Sequence, residues 1–415
     1  MASPSSTETL APLDLSKWRR VPLILIMAGG LGALIGALVP SLREQFGFSW
    51  LLAYMFFLSL CLGALFLVLL HHLFDASWSV PIRRVNEHVA YLLPVMAVLF
   101  LPIAFFARKI YRWMDLDPHL NHALHAKLPL FTLPMFYVVA AICLGLWWFL
   151  SNRLRYWSLR QDTTGAVECT YKMRQYSAIG IFVFAITLTL AAIMWMKSLQ
   201  HQWFSTMYGV YYFAGSVWMT IATIYIITII LKRLGPLREV VHETQLYFLG
   251  SLLLAFTVFY AYIHFSQYFI IWNANIPEET FWYKVREKGS WWDIGMIIIF
   301  GHFFVPFLAL LRIDVKLSWL MIPIVMWAWL MHFIDLSFNI MPVLHPEGYM
   351  LHWLDLACLA FIGGVLAAFF LKYFAAHPPY PQKDPRFAEA MGVYVPPAAV
   401  SRSIAPRPSP ERGGR

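Results

Sequence analysis

The sequence predicts an all-α membrane protein with ten transmembrane helices, and three observations carry that prediction. Apolar residues make up 60% of the 415-residue chain and charged residues only 13%. An ordinary soluble domain carries roughly 25% charged residues, so this chain is too poor in charge for a soluble surface and too apolar for disorder. Apolar runs with few charges recur ten times along the chain, each near the ~20 helical residues needed to cross a ~30 Å hydrocarbon core. Tryptophan gathers near the ends of these runs, at Trp147, Trp148, Trp291, Trp292 and Trp353, as in the aromatic belt of a membrane interface.

Residues 1–20 form a tail, rich in Ser, Thr and Pro up to residue 16. Lys17, Arg19 and Arg20 flank the first apolar run, predicted as a helix over 21–41. Those flanks resemble a signal peptide, but nine further runs make an uncleaved first span the better reading. The second helix, 50–74, follows the polar Arg43–Gln45 stretch, and the third, 88–107, follows Arg83, Arg84 and Glu87. Helices over 128–150, 176–197 and 206–231 are bounded by basic residues, among them Lys127, Arg153, Arg174, Lys197 and Lys232. The last four are predicted over 245–272, 291–311, 317–341 and 353–374. The ten helices form one domain over 21–375. Residues 376–415 contain nine prolines and several arginines and read as an extended tail.

Ten spans put both termini on one side of the membrane. That side carries 22 of the 31 Lys and Arg and the other side nine, so both termini are expected in the cytoplasm. Without the tails the ratio falls to twelve against nine. The net charge of +9 is therefore read as membrane topology, and no nucleic-acid partner is expected. The four cysteines, Cys61, Cys143, Cys169 and Cys358, are scattered, with no C-x-x-C and no C-x-x-C-H. The sequence thus offers no c-type haem attachment, iron–sulfur motif or zinc ribbon. One histidine pair stands at a spacing suited to haem b, His332 and His345, and His345 falls in a loop. No metal site and no cofactor bound by this chain are expected.

An ionisable group at membrane depth costs from ~2.5 kcal/mol upward and normally faces the bundle interior beside a partner. Asp335 lies six residues inside the predicted end of the ninth span, roughly 9 Å below its outer end at 1.5 Å per residue. His332, Asp335 and Asn339 follow i, i+3, i+7 spacing and are expected to share a face. Tyr260, His264 and Gln267 of the seventh span, at i, i+4, i+7, share another. Together these groups offer donors and acceptors for a proton path or a quinone head group. The alternative for each is an interhelical hydrogen-bond cluster or a satisfied core histidine. His302 is a single deep histidine of the eighth span, for which core packing is the stronger reading. Asp293 and Asp355 are expected as interfacial carboxylates, or as the outer mouth of the path. His71, His72, Asp75, Glu87 and His88 gather at cytoplasmic span ends, either as the point where protons come in or as a solvated loop face. Glu278, Glu279, Lys284, Arg286, Glu287 and Lys288 read as a solvated mixed-sign outer loop.

Seven segments, in order, resemble one family. They are Tyr-Trp-Ser-Leu-Arg-Gln-Asp-Thr-Thr-Gly (156–165), His-Gln-Trp-Phe-Ser-Thr-Met-Tyr-Gly-Val (201–210) and the stretch 261–279 beginning Ala-Tyr-Ile-His-Phe-Ser-Gln-Tyr. Gly-His-Phe-Phe-Val-Pro-Phe (301–307), His-Phe-Ile-Asp-Leu (332–336) and His-Trp-Leu-Asp-Leu (352–356) follow, with Asp-Pro-Arg (384–386) after them. From about residue 119 to 390 the chain resembles the ActF-like membrane subunits of bacterial alternative complex III, within the NrfD/PsrC-like family, also described as quinone-binding subunit 2 of a quinol:cytochrome c oxidoreductase. The resemblance implies a ten-helix subunit of the bacterial inner membrane, with two four-helix bundles plus two helices. It implies a quinol-oxidising respiratory complex, with menaquinol a possible substrate. It places haem c and iron–sulfur clusters on partner subunits: an ActC-like sister, an iron–sulfur protein and multihaem c-type cytochromes, with a terminal oxidase as a further possible partner. His264, Gln267, His332 and Asp335 fall inside the resembling segments and are carried as polar-path candidates. Two other classes stay open from the residues alone: a structural membrane anchor, and a secondary transporter with broken helices around a midplane site.

Overall fold

The computed structural model describes residues 15–393. Every regular element among them is helical, and ten helices are long and apolar enough to cross a membrane. They are α1 (Arg20–Leu38), α2 (Pro40–Phe74), α3 (Ser77–Phe105), α4 (Leu133–Thr164) and α5 (Val167–Gln200), then α6 (Tyr208–Leu234), α7 (Glu243–Ala274), α8 (Ser290–Leu310), α9 (Met321–Val343) and α10 (Trp353–Ala375). Successive spans alternate in direction, so α1 begins and α10 ends on one face, here the terminal face; the opposite one is the far face.

The helices α2 to α5 pack as one ring of four, and α6 to α9 as a second. The rings meet along α2 and α6, while α1 and α10 pair with each other outside, against α2. The most apolar window of α2 is 89% buried, which makes it the central pillar. Lipid supplies no hydrophobic force between helices, so small residues that permit close approach hold them together. A Cβ on Gly63 of α2 would collide with the Thr220 hydroxyl and the Ser216 carbonyl of α6, and Thr220 Oγ1 donates to Leu60 O at 2.9 Å. In α1, Gly29, Gly32 and Gly36 form a small-residue stripe against Ala357, Phe361, Trp353 and Leu354 of α10.

All ten spans lie where the apolar runs predict them, but several are longer. Helix α2 starts at Pro40 rather than 50, α3 at Ser77 rather than 88, and α4 continues to Thr164. At 1.5 Å per residue α4 is about 48 Å long, well beyond the hydrocarbon core. The added turns are polar and paired: Arg112 meets Glu44 at 3.2 Å, and the start of α3 is locked by ion pairs described below. Within α3 the helix breaks at Tyr91–Leu92 and again at Phe100, just ahead of Pro94 and Pro102. Helix α8 widens into a π-helical stretch over Ile298–Phe304.

Two expectations about position are corrected. Trp147 and Trp291 are core residues rather than belt residues: Trp147 donates to Thr187 Oγ1 at 2.8 Å and Trp291 to His345 O at 2.7 Å. Trp148, Trp292 and Trp353 are exposed. Residues 376–393 pack against the terminal face, where the Phe387–Ala390 helix presents Ala390 O to Gln245 Nε2 at 3.2 Å. Most of the tail over 1–20, and the remainder of 376–415, lie outside the described residues.

Candidate functional site

Asp335 of α9 is 1% exposed and sits inside the second ring, in the half nearer the far face. Two phenols reach the same carboxylate oxygen. Tyr211 of α6 and Tyr260 of α7 both donate to Asp335 Oδ1, Tyr260 at 2.8 Å, and their hydroxyls stand 3.2 Å apart. Asn339, one turn on, donates from Nδ2 to Tyr211 Oη at 3.0 Å and to Asp335 O at 2.8 Å, and accepts from Tyr208 Oη at 3.1 Å. The i, i+4 spacing puts Asp335 and Asn339 on the face that looks at α6 and α7. On the other side of Tyr260, His264 Nδ1 lies 3.4 Å from its hydroxyl, and His264 is half-buried. The cluster thus leads from a sunken acid through a phenol to an imidazole nearer the surface of the bundle.

His302 lies beside this chain rather than within it. Its ring is stacked between Trp218 (centroids 3.9 Å apart) and Tyr260 (3.7 Å), and neither of its nitrogens has a hydrogen-bond partner among the described residues. His302 lies buried within the π-helical stretch, and Trp327 of α9 donates to Gly301 O beside it at 2.8 Å. Such stretches occur often at functional sites.

The structure separates several residues that the spacing groups together. His332 does not pair with Asp335; its Nε2 meets Ser59 Oγ of α2 at 2.8 Å. Three residues along a helix turn ~300°, so His332 is rotated toward the ring-to-ring interface. Gln267 does not join the carboxylate either: its Oε1 accepts from Ser205 Oγ at 2.8 Å and its Nε2 donates to Tyr283 Oη at 3.2 Å. Asp293 is exposed, as an interfacial carboxylate should be. Asp355 is buried: it accepts from Ser49 Oγ and from the backbone N–H of His352 at 2.9 Å, which closes the capping box at the start of α10. Arg286, expected in a solvated loop, is 2% exposed. It donates to Phe338 O and Asn339 O, both at 2.9 Å, and so caps the end of α9 just beyond Asp335.

At the terminal face, His71, His72, Glu87 and His88 are buried, which removes the solvated-loop reading for these four. Glu87 accepts from Arg83 Nε at 3.0 Å, Arg84 Nη1 at 2.8 Å and Ser158 Oγ at 2.7 Å. Arg84 also pairs with Asp162 of α4, and Arg83 with Asp384 of the docked C-terminal segment. Arg83 Nη1 further reaches His71 Nε2 at 3.0 Å, and Arg155 donates to His88 Nδ1 at 2.9 Å. Asp75, half-buried, is bracketed by Arg174 and Arg386. Burial alone would push the Asp384 carboxyl up, but Arg83 beside it and the Arg386 N–H hold it below its ordinary value. Burial, Arg155 and Arg84 pull His377 down. Four guanidiniums (Arg83, Arg84, Arg174, Arg386) and four carboxylates (Glu87, Asp162, Asp384, Asp75) thus compensate one another where charge is expensive to bury. This network ties the start of α3 to α4 and to the docked C-terminal segment. His72 Nε2 and His88 Nε2 have no partner, and no chain of hydrogen bonds joins the network to Asp335 among the described residues.

Sequence reasoning missed Tyr208, Tyr211 and Trp218, which read as apolar aromatics, and Arg83, Arg84, Arg155 and Asp162, whose partners are remote in the chain. The signal for the tyrosines was the Tyr208–Tyr212 run at the start of α6, beside the segment 201–210. No family model and no curated protein matches the sequence.

Proposed function

We propose that this chain is a membrane subunit of a respiratory quinol-oxidising complex, ActF-like within alternative complex III, and that its own contribution is to handle protons at Asp335. The observation that carries the reading is a carboxylate sunk in a bundle of apolar helices and held by two phenols, a costly arrangement in a membrane and one characteristic of proton relays. When Asp335 carries a proton, the Tyr260 hydroxyl turns from the carboxylate to give its own proton to His264 Nδ1 and takes the one from Asp335 on its oxygen. Both termini are cytoplasmic in this reading, so the cluster lies in the outer half of the membrane, facing the side where quinol oxidation releases protons. Haem c and iron–sulfur clusters belong to partner subunits: an ActC-like sister, an iron–sulfur protein and multihaem cytochromes.

Proton handling is favoured over direct quinone contact. A quinone head group needs free donors for its two oxygens. Tyr211, Tyr260, Gln267 and Asn339 are already committed to one another, to Asp335 or to Ser205 and Tyr283. The test is purification of the tagged chain from its native membrane with haem staining, followed by Asp335→Asn. We expect co-purifying multihaem cytochromes, and an assembled variant with at least tenfold slower quinol oxidation or reduced proton release. Wild-type turnover and proton release in an assembled Asp335→Asn complex would leave only an anchoring role. A chain that purifies without haem proteins would remove the respiratory assignment.

A further inference from the structure

A second site lies at the terminal face of the same ring, at the opposite ends of its helices from Asp335. The end of α6, the turn after it, the start of α7 and the residues leading into α9 enclose an open cavity of about 410 Å³. Its polar wall is made of Lys232, Arg233 and Arg238. Gly235, with φ 108°, reverses the chain after α6, and Arg238 N donates to Gly235 O at 3.0 Å, so Arg238 folds back over the helix end. None of the three cations has an acidic partner among the described residues. Elsewhere on this face Arg83, Arg84 and Arg174 are paired with carboxylates, while Arg153, Arg160 and Lys172, also without an acidic partner among the described residues, do not line the cavity. The opposite wall is apolar, formed by Ile229, Leu246 and Ile322. At its rim stands Trp319, 70% exposed, as interfacial tryptophans are.

We propose that this cavity binds the head group of an anionic phospholipid. The phosphodiester sits on Lys232, Arg233 and Arg238, the glycerol lies at the level of Trp319, and the acyl chains run down past Ile229 and Ile322. A basic pocket between transmembrane helices with an apolar floor suits a ligand that is charged at one end and hydrocarbon at the other. A free phosphate would use the cations and leave the floor and the tryptophan unused. The proposal depends only on the chain spanning a membrane and stands independently of the role of Asp335.

The test is native mass spectrometry of the full-length chain in detergent, titrated with phosphatidylglycerol or with phosphatidylcholine of the same acyl chains. Three basic groups near a lipid phosphate are together worth about a hundredfold in affinity. We expect the wild type to retain phosphatidylglycerol at least tenfold better than phosphatidylcholine. Lys232→Gln/Arg233→Gln/Arg238→Gln should abolish that preference, while Arg153→Gln/Arg160→Gln/Lys172→Gln, on the same face, should keep it. Lipid-free thermal unfolding identifies a triple variant that is misfolded, in which case Arg238→Gln alone is read and should show a reduced preference. Equal retention of the two lipids by the wild type overturns the proposal, as does an equal loss in both triple variants. Displacement of phosphatidylglycerol by millimolar inorganic phosphate makes the site a free-phosphate site and overturns it too.

Discussion

If Tyr211 and Tyr260 jointly solvate Asp335, replacing each with Phe must cost more than an ordinary interhelical hydrogen bond, and the two costs must not be independent. Hydrogen bonds between helices in a membrane average ~0.6 kcal/mol, whereas one to a charged acceptor contributes about 1.5–3 kcal/mol. Both phenols point at one oxygen, Tyr260 at 2.8 Å, with 3.2 Å between them. Tyr211→Phe or Tyr260→Phe alone leaves the second donor in place and should cost about 1.5 kcal/mol. Removing both leaves Asp335 Oδ1 with only the Asn339 amide at 3.5 Å. The carboxylate is then buried and nearly bare, so the double variant should exceed the sum of the singles by about 1 kcal/mol. Equilibrium unfolding in mixed micelles, run as a double-mutant cycle, measures this coupling. The same cycle in an Asp335→Asn background should show the coupling shrink to within about 0.3 kcal/mol of zero. Single costs below ~0.5 kcal/mol, or additivity with Asp335 intact, would refute the shared-carboxylate account.

Asp384 gives a pH-dependent expectation. Its carboxyl is held below the ordinary 3.8 in the fold, so its stabilising pairing with Arg83 is complete above about pH 4 and is lost as pH falls through the lower, folded value. Limited proteolysis should find residues 376–393 protected in the wild type down to about pH 4, and cleaved at pH 7 in Asp384→Asn; equal protection of both at pH 7 would contradict this. At the α1–α10 contact, a side chain on Gly29 would meet backbone atoms, Phe361 N at 2.5 Å and Ala357 O at 2.6 Å. Gly29→Leu should therefore cost at least ~2 kcal/mol in the micelle assay, while the same change at Gly145, which faces open space, should leave stability near the wild-type value.

The ten spans were legible because a membrane demands a long apolar run for each, whatever the rest of the fold does. Their ends were not. Hydropathy sees the charges of Arg83, Arg84 and Glu87 but not the carboxylates of Asp162 and Asp384 that make those charges tolerable, 78 and 301 residues away. Asp335 was legible as an acid at depth, and Asn339 with it. The expected shared face of His332 and Asp335 did not bring them together, because i, i+3 positions differ by some 60° in direction, enough to turn one toward α2 and the other toward α7. The phenols escaped notice because a tyrosine in an apolar run reads as hydrophobic until its hydroxyl is seen to have a partner. The C-terminal segment read as extended from its prolines; its docking depends on Asp384 and Arg386, two residues of the Asp-Pro-Arg triplet.

The pairing of Arg83 with Asp384 also sets an order of events during synthesis. When α3 enters the bilayer, Arg83 and Arg84 share a single acid, Glu87, and the other two counter-ions do not yet exist. At about 5–20 residues per second a ribosome needs roughly 15–60 s to travel from Arg83 to Asp384. Asp162 follows Arg84 by 78 residues and gives the two arginines a second acid, whereas the third, Asp384, follows Arg83 by 301. A nascent chain cut short before residue 384 therefore lacks the acid that meets Arg83, and a segment made after all ten spans closes the first bundle.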